Sequence, residues 1–128
     1  MGIANKEKTR VAITMYGIRS CDTVKRARAW LEGRGIDYRF HDYKAAGVDL
    51  DRLRHWCEQV GWETLVNRSG TTFRKLPERE KQLLSEEQAM RLMLAQPSLI
   101  RRPVLEAGRS LVVGFVPGAY EELLGATR

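Results

Sequence analysis

The sequence predicts an α/β fold in which helices flank a four-stranded mixed sheet and a helical insertion separates its two halves. Three patterns indicate this: strand–helix–strand at the start, a middle with helical periods but no strand pattern, and two strands and a helix at the end. A short strand–helix–strand connection favours parallel strands, whereas a tight turn favours an antiparallel hairpin. Residues 1–128 are expected to form one domain, because a chain of this length buries roughly two thirds of its unfolded surface.

The ordered part of the chain is predicted to open with a strand and a helix. Residues 1–9 lack an apolar period and are expected to be a flexible arm. Residues 10–16 form a short, mostly apolar stretch, which is typical of a strand buried on both faces. Helix-capping residues at 20–23 then predict a helix that ends at Gly33 and Gly35. Residues 36–43 alternate between apolar and polar side chains and predict the second strand.

The middle of the chain, about residues 45–98, is predicted to be the helical insertion. Asp49 is expected to cap one helix and Ser85 another, with a polar loop at residues 67–75 between them. The apolar stripe of the first of these helices consists of Leu50, Leu53, Cys57 and Val60.

The last part of the chain predicts a hairpin and a helix. Residues 104–106 and 111–115 are the two strands, joined by a turn at residues 107–109, and residues 119–124 form the final helix. The complete order, βαβ, helices, ββα, is the thioredoxin-like arrangement with a helical insertion.

Composition excludes several classes of protein. No apolar run among the first 35 residues is long enough for a secretion signal or a membrane span, so no membrane partner is expected. The two cysteines differ in setting and are too few for a secreted disulfide framework, which predicts a cytoplasmic protein. We expect a monomer.

The net charge of +6 raises the question of nucleic acid binding. The basic side chains of the predicted helices have no recognised binding motif and no interleaved exposed aromatics, so solvated helix faces explain them better. These side chains are Lys25, Arg26, Arg28, Arg52 and Arg54.

Cys21 lies in the turn between the first strand and the first helix. Backbone N–H groups and the positive end of the helix stabilise an anion there, which lowers the pKa of a thiol from its ordinary value of about 8.5. Arg19, Lys25 and Arg26 add positive potential. We therefore interpret Cys21 as a nucleophile, with a small cysteine packed under the sheet as the alternative. Cys57 shares the apolar stripe of a helix and is expected in the core.

Spacing excludes other cysteine chemistries. A thioredoxin-type dithiol needs a second cysteine at position 24, where Val24 stands, and a phosphatase loop needs an arginine at position 27, where Ala27 stands. No metal site is expected, because the candidate ligands have no paired spacing. These candidates are Cys21, His41, His55 and Cys57.

Arg101, Arg102 and Pro103 immediately precede a strand in the second half of the predicted fold. A thioredoxin-like fold brings this position beside the cysteine. An arginine there can hold an oxyanion or a carboxylate by bidentate hydrogen bonds, and a cis bond at Pro103 would shape the pocket wall. The alternative is an exposed basic pair ahead of a proline at a strand edge.

Four segments, taken together, carry a family resemblance. They are residues 16–23 (Tyr-Gly-Ile-Arg-Ser-Cys-Asp-Thr), 35–43 (Gly-Ile-Asp-Tyr-Arg-Phe-His-Asp-Tyr), 70–76 (Gly-Thr-Thr-Phe-Arg-Lys-Leu) and 100–103 (Ile-Arg-Arg-Pro). The chain resembles the arsenate reductase (ArsC) family, and most closely its YffB-like branch. The resemblance implies a thioredoxin fold, Cys21 as the nucleophile, and Arg102 before a cis Pro103 as the anion-binding residue.

Two departures from the arsenate-reducing members bear on the substrate. Those enzymes surround the oxyanion with three arginines, and the last falls in the final strand, where this chain has Val112, Val113 and Gly114. The YffB-like insertion loop resembles Asn-Thr-Arg-Gly-Thr-Thr, whereas this chain has its arginine, Arg68, one position earlier. The pocket is therefore expected to suit a glutathione carboxylate or a mixed disulfide better than arsenate, with Arg68 as a second substrate-binding residue.

We expect a monothiol oxidoreductase in which the Cys21 thiolate attacks a disulfide or an arsenic centre. No cofactor is expected to be bound. Because a second cysteine is missing beside Cys21, an external thiol is expected to resolve the adduct, with glutathione or glutaredoxin as partner and an anionic small molecule or a disulfide as substrate. The alternative rests on a more distant resemblance to Spx, a regulatory module that contacts RNA polymerase. Spx-like members use a Cys-x-x-Cys switch that is absent here.

Overall fold

The computed structural model describes residues 12–82 and 85–125, so the predicted arm at residues 1–9 lies outside the described part. The four strands are β1 (Ile13–Gly17), β2 (Arg39–Asp42), β3 (Val104–Ala107) and β4 (Ser110–Val113). Their order across the sheet is β2-β1-β3-β4. β1 is parallel to β2 and antiparallel to β3, and β3 is antiparallel to β4. This is the mixed sheet of a thioredoxin-like fold, as the sequence predicts.

Helices cover both faces of the sheet. The helices are α1 (Asp22–Gly33), α2 (Tyr43–Ala46), α3 (Leu50–Val60), α4 (Trp62–Leu65), α5 (Thr71–Arg74), α6 (Glu78–Lys81), α7 (Glu86–Ala95) and α8 (Pro117–Gly125), with a 3-10 turn at Pro97–Leu99. Successive side chains of a strand point to opposite faces. Met15 and Leu105 therefore pack with α1 and α8 on one face, while Tyr16 and Val104 pack with the insertion helices on the other. Cys21 contacts both apolar clusters, because it lies just beyond the end of the central strand β1, between the two faces of the sheet.

The second strand is shorter than the alternating pattern predicts. It begins at Arg39 rather than at residue 36, because the amide of Ile36 donates to the carbonyl oxygen of Leu31 at 3.0 Å and is held by the end of α1. It ends before Tyr43, where the carboxylate of Asp42 accepts hydrogen bonds from the amides of Lys44 and Ala45 and starts α2.

Within the insertion, the caps at Asp49 and Ser85 are confirmed, since their side chains accept from the amides of Arg52 and Gln88. The predicted apolar stripe of α3 was wrong at Leu50, which is 43% exposed, because it occupies the first position of the helix and extends beyond the packed face. Trp56 is fully buried on that face instead.

The predicted loop at residues 67–75 contains the short helix α5, because Phe73 is buried and anchors the segment to the core. Phe73 is flanked by polar residues, so the sequence shows no apolar period that would predict this helix. In the described residues, none of the helices combines the length and the apolar character that a bilayer crossing requires.

Candidate active site

Cys21 is the N-cap residue of α1. Its backbone is extended (φ −75°, ψ 128°), and its amide donates to the carbonyl oxygen of Ile18 at 3.0 Å, which closes the turn after β1. Its own carbonyl oxygen accepts from the amide of Lys25 at 2.9 Å, the first hydrogen bond of the helix. The sequence predicted a helix start from capping residues within positions 20–23. The residue at the cap is the cysteine itself, so its thiol lies where the first amides of the helix are unpaired.

The environment of Cys21 favours the thiolate. Burial raises the pKa of the thiol, but the backbone amides of Val24 and Thr23 and the guanidinium of Arg102 together lower it by more. The net result is a pKa below the ordinary value. Amide groups and a cation that hydrogen-bond the charged form are the usual means by which a helix N-terminus activates a cysteine.

Arg102 and Pro103 form the other side of the site. The peptide bond between them is cis, as the family resemblance implies. One guanidinium nitrogen of Arg102 donates to the carbonyl oxygen of Ser98 at 2.9 Å, while its Nε is buried and has no hydrogen-bond partner within the described part of the chain. Arg101 is exposed and its Nε donates to the carbonyl oxygen of Thr64, so the two adjacent arginines have different roles. Of these two arginines, only Arg102 is among the groups that lower the pKa of Cys21.

Arg68 lies elsewhere on the insertion. Its guanidinium is 6.0 Å from the centre of the Trp62 ring, and among the contacts of residues 12–82 and 85–125 none joins it to Cys21 or Arg102. Its loop is nevertheless tied to the segment before Arg102, because the amide of Asn67 donates to the carbonyl oxygen of Leu99 at 2.8 Å. The role of Arg68 in substrate binding stays a prediction.

The sequence did not predict two residues that hydrogen-bond to the backbone on either side of the site. Asp42 accepts a hydrogen bond from the amide of Arg19 in the cysteine turn, and the Tyr43 hydroxyl donates to the carbonyl oxygen of Ile100. Both were assigned to the second strand. An aspartate ahead of residues that favour helix, here Lys44 and two alanines, is an N-cap signal, and it would have ended the predicted strand at Asp42. No comparable signal in the sequence points to Tyr43.

Cys57 is a core residue, as the sequence predicted. Its side chain is buried among the insertion helices. Burial, together with the charges of Glu86 and Glu58, raises the pKa of its thiol to about 11. Across the described residues, no group of three or more His, Cys, Asp or Glu side chains is arranged to hold a metal ion.

The ArsC family profile matches residues 16–123, which include Cys21, Arg102 and every strand except the first residues of β1. The chain belongs to the ArsC family. A solved structure of a protein named YffB is 55% identical to this ArsC-family chain, with a TM-score of 0.83 over 87% of this chain and 97% of the other. The structure of an arsenate reductase (ArsC) related protein from Brucella melitensis is 53% identical, with a TM-score of 0.71 over 88% and 94% of the two chains.

Curated relatives of the ArsC-family chain include proteins of different kinds. An uncharacterized protein of Haemophilus influenzae is 39% identical over 109 residues, which are 85% of this chain and 96% of the relative. The global transcriptional regulator Spx of Listeria innocua is 29% identical over 105 residues, 80% of this chain and 79% of the relative. The more distant resemblance to Spx is therefore confirmed.

Proposed function

We propose that this ArsC-family protein is a thiol-dependent reductase in which Cys21 is the single catalytic cysteine. The observation that carries the proposal is the thiol of Cys21 at the N-terminus of α1, with its pKa lowered by helix amides and Arg102. A thiolate at neutral pH attacks electrophilic sulfur far faster than a thiol does. The relation to the arsenate reductase-related protein of Brucella melitensis supports the same chemistry.

The reaction has two displacement steps. The Cys21 thiolate attacks one sulfur of a disulfide, so that a Cys21–sulfur bond forms, the substrate S–S bond breaks and one thiolate leaves. A glutathione thiolate then attacks the sulfur bound to Cys21, which regenerates the Cys21 thiolate and releases a mixed disulfide of glutathione. One substrate sulfur leaves as a thiolate, and the other leaves in the mixed disulfide with glutathione. When the substrate is itself a mixed disulfide of glutathione and Cys21 attacks the glutathione sulfur, the second product is glutathione disulfide, so the substrate thiol is fully reduced and glutathione is oxidised. An external thiol is needed because Val24 occupies the position where a dithiol enzyme has its second cysteine.

Arg102 is the proposed anion-binding residue. Its guanidinium acts on the Cys21 thiol, so a carboxylate or oxyanion bound beside the cysteine would lie close to that positive charge. A glutathione carboxylate fits this requirement. Pro103 is buried behind it and forms part of the pocket wall in this proposal, and Arg68 is proposed as a second anion contact. The proposed setting is the cytoplasm, where glutathione keeps thiols reduced.

Treatment with glutathione disulfide, followed by peptide mass spectrometry, tests the proposal. We expect one glutathione adduct on the peptide that contains Cys21, its removal by reduced glutathione, and no adduct in Cys21→Ser. The matched control is Cys57→Ala, which should retain the adduct because Cys57 is buried. An adduct on Cys57 alone, or none on the wild-type protein, would remove the basis for a reductase.

The relation to Spx favours a second candidate, a regulatory module that binds RNA polymerase. Spx-like members resemble this chain in fold, but they use a Cys-x-x-Cys switch, and Val24 stands where its second cysteine would be. Titration of purified RNA polymerase with the oxidised and reduced protein distinguishes the two candidates. The reductase proposal expects no saturable binding.

A further inference from the structure

Two consecutive residues, the last of β2 and the first of α2, connect the two halves of the candidate active site. Asp42 accepts a hydrogen bond from the amide of Arg19 at 3.1 Å, in the turn that carries Cys21. Tyr43 donates a hydrogen bond to the carbonyl oxygen of Ile100 at 2.8 Å, in the segment that leads to Arg102. The cysteine turn and the arginine segment are distant in sequence, and this pair of residues contacts both.

The carboxylate of Asp42 uses its two oxygens for two different tasks. Oδ2 accepts from the amide of Arg19, while Oδ1 accepts from the amides of Lys44 at 3.0 Å and Ala45 at 3.2 Å and thereby caps α2. Slight burial raises the pKa of Asp42, but the hydrogen bonds from Arg19, Ala45 and Lys44 lower it by more. The carboxylate is therefore ionised at neutral pH, and it fixes the cysteine turn to the end of β2.

Tyr43 belongs to the buried cluster against which Cys21 packs. Its side chain is fully buried, and burial raises the pKa of its hydroxyl, so the group remains a protonated donor to the carbonyl of Ile100. The Arg102 guanidinium opposes that rise through its charge and a hydrogen bond, and Cys21 also acts on the same hydroxyl. The Tyr43 hydroxyl is therefore close enough to Cys21 and Arg102 to respond to the charges of both residues.

We propose that Asp42 and Tyr43 are positioning residues that together fix the Cys21 thiol relative to the Arg102 guanidinium. Asp42 holds the turn on the cysteine side, and Tyr43 holds the backbone on the arginine side. The inference rests on the proposed function in one respect only, that Cys21 and Arg102 are the working pair. Neither positioning residue needs to touch the substrate.

The direction in which Asp42→Asn shifts the pKa of Cys21 distinguishes a positioning role of Asp42 from a purely electrostatic one. A carboxylate near a thiol disfavours the thiolate, so loss of its charge alone would lower the pKa of Cys21. Asp42→Asn keeps one oxygen for the cap of α2, but its amide group cannot accept from the amide of Arg19. If Asp42 positions the turn, Asp42→Asn raises the pKa of Cys21 despite the lost negative charge.

The experiment measures iodoacetamide alkylation of Cys21 against pH on the full chain, with peptide mass spectrometry to separate Cys21 from Cys57. We expect Asp42→Asn and Tyr43→Phe each to slow alkylation of Cys21 at pH 7 by about three- to ten-fold, the range for the loss of one hydrogen bond. The matched controls are Asp49→Asn, another helix-cap aspartate, and Tyr38→Phe, another hydrogen-bonded tyrosine. Both controls should leave the profile unchanged.

Thermal unfolding of each variant is measured in parallel to verify that it is folded. Tyr43→Phe removes only the hydroxyl and keeps the buried ring. Folded Asp42→Asn and Tyr43→Phe proteins with an unchanged or faster alkylation of Cys21 would overturn the inference. The experiment compares the alkylation rate of Cys21 in each variant with that in the wild type, so its result does not depend on the pKa of Cys21 in the wild-type protein. A wild-type Cys21 that titrates as an ordinary thiol would instead count against the reductase proposal.

Discussion

The Arg102 guanidinium lowers the pKa of the Cys21 thiol, although the whole helical insertion separates the two residues in the sequence. The pairing follows from the sheet topology. β1 leads into the Cys21 turn, and the antiparallel strand β3 starts beside its end, with Tyr16 opposite Val104. The residue before the cis proline therefore lies beside the first turn of α1, where the unpaired amides and the guanidinium act on one sulfur atom.

The first prediction is that Cys21 is alkylated at lower pH than an ordinary thiol, and Cys57 only at much higher pH. A lowered pKa means that the thiolate, the reactive form, is present at lower pH, whereas burial raises the pKa of Cys57 to about 11. Iodoacetamide rates at each cysteine, measured from pH 5 to 10 by peptide mass spectrometry, check both statements. Faster alkylation of Cys57 than of Cys21 at pH 7 would contradict the assignment.

The second prediction concerns the arginine pair. Arg102→Ala should raise the pKa of Cys21 and weaken binding of glutathione by roughly 1.5–3 kcal/mol, because a charge-assisted hydrogen bond is lost. The matched control is Arg101→Ala, which removes an exposed guanidinium bound only to the carbonyl oxygen of Thr64 among the described residues. Calorimetry with glutathione and the alkylation profile measure the two effects. Equal losses in both variants would indicate a general effect of surface charge.

The sequence predicts the site better than it predicts the connections that hold the site together. Cys21 follows a strand that ends in a glycine and precedes a helical period, so its place at a helix start depends on local signals alone. Its proximity to Arg102 follows from the order of the elements. The contacts of Tyr43 with Ile100 and of Asp42 with Arg19 join segments far apart in the chain, and no local pattern encodes them.

The sequence also does not predict a polar cluster on the side of the sheet that faces the insertion. The cluster consists of Glu106, Trp56, Arg52 and Tyr16. Glu106 accepts hydrogen bonds from the indole N–H of Trp56 at 2.7 Å, from Arg52 at 2.8 Å and from the Tyr16 hydroxyl at 3.3 Å. In the sequence, Glu106 is only a polar residue in a short strand. The cluster explains how a tryptophan inside α3 is fully buried with its N–H satisfied.

The third prediction is that this cluster stabilises the fold through the indole hydrogen bond more than through the ion pair. Glu106→Ala leaves the Trp56 N–H buried without its acceptor, which should cost about 1–3 kcal/mol of unfolding free energy. Arg52→Ala should cost less than about 1 kcal/mol, because the Arg52 side chain is 44% exposed and solvent screens the pair. Urea unfolding measures both values. An equal cost for the two variants would assign the energy to the ion pair.

The last prediction is that arsenate is a poor substrate. Arsenate carries more than one negative charge near neutral pH, and stabilising the charge that develops on its oxygens requires several fixed donors. Arg102 is the one donor proposed beside Cys21, whereas Arg68 lies over Trp62, and β4 ends in Val112 and Val113. Because the loss of one oxyanion donor costs on the order of 100-fold or more in turnover, we expect arsenate reduction to be weak or absent, alongside clear glutathione-linked disulfide reduction at Cys21.

An assay coupled to NADPH oxidation, with glutathione and glutaredoxin, compares arsenate with a mixed disulfide of glutathione as substrates. Cys21→Ser is the control for background turnover in both reactions. Arg68→Ala, assayed in parallel, reports whether that guanidinium supplies a second donor, and it should reduce the arsenate reaction more than the disulfide reaction if it does. Arsenate turnover that depends on Cys21 and equals disulfide turnover would refute the argument from the donor count, because the helix amides would then suffice where the third arginine is absent.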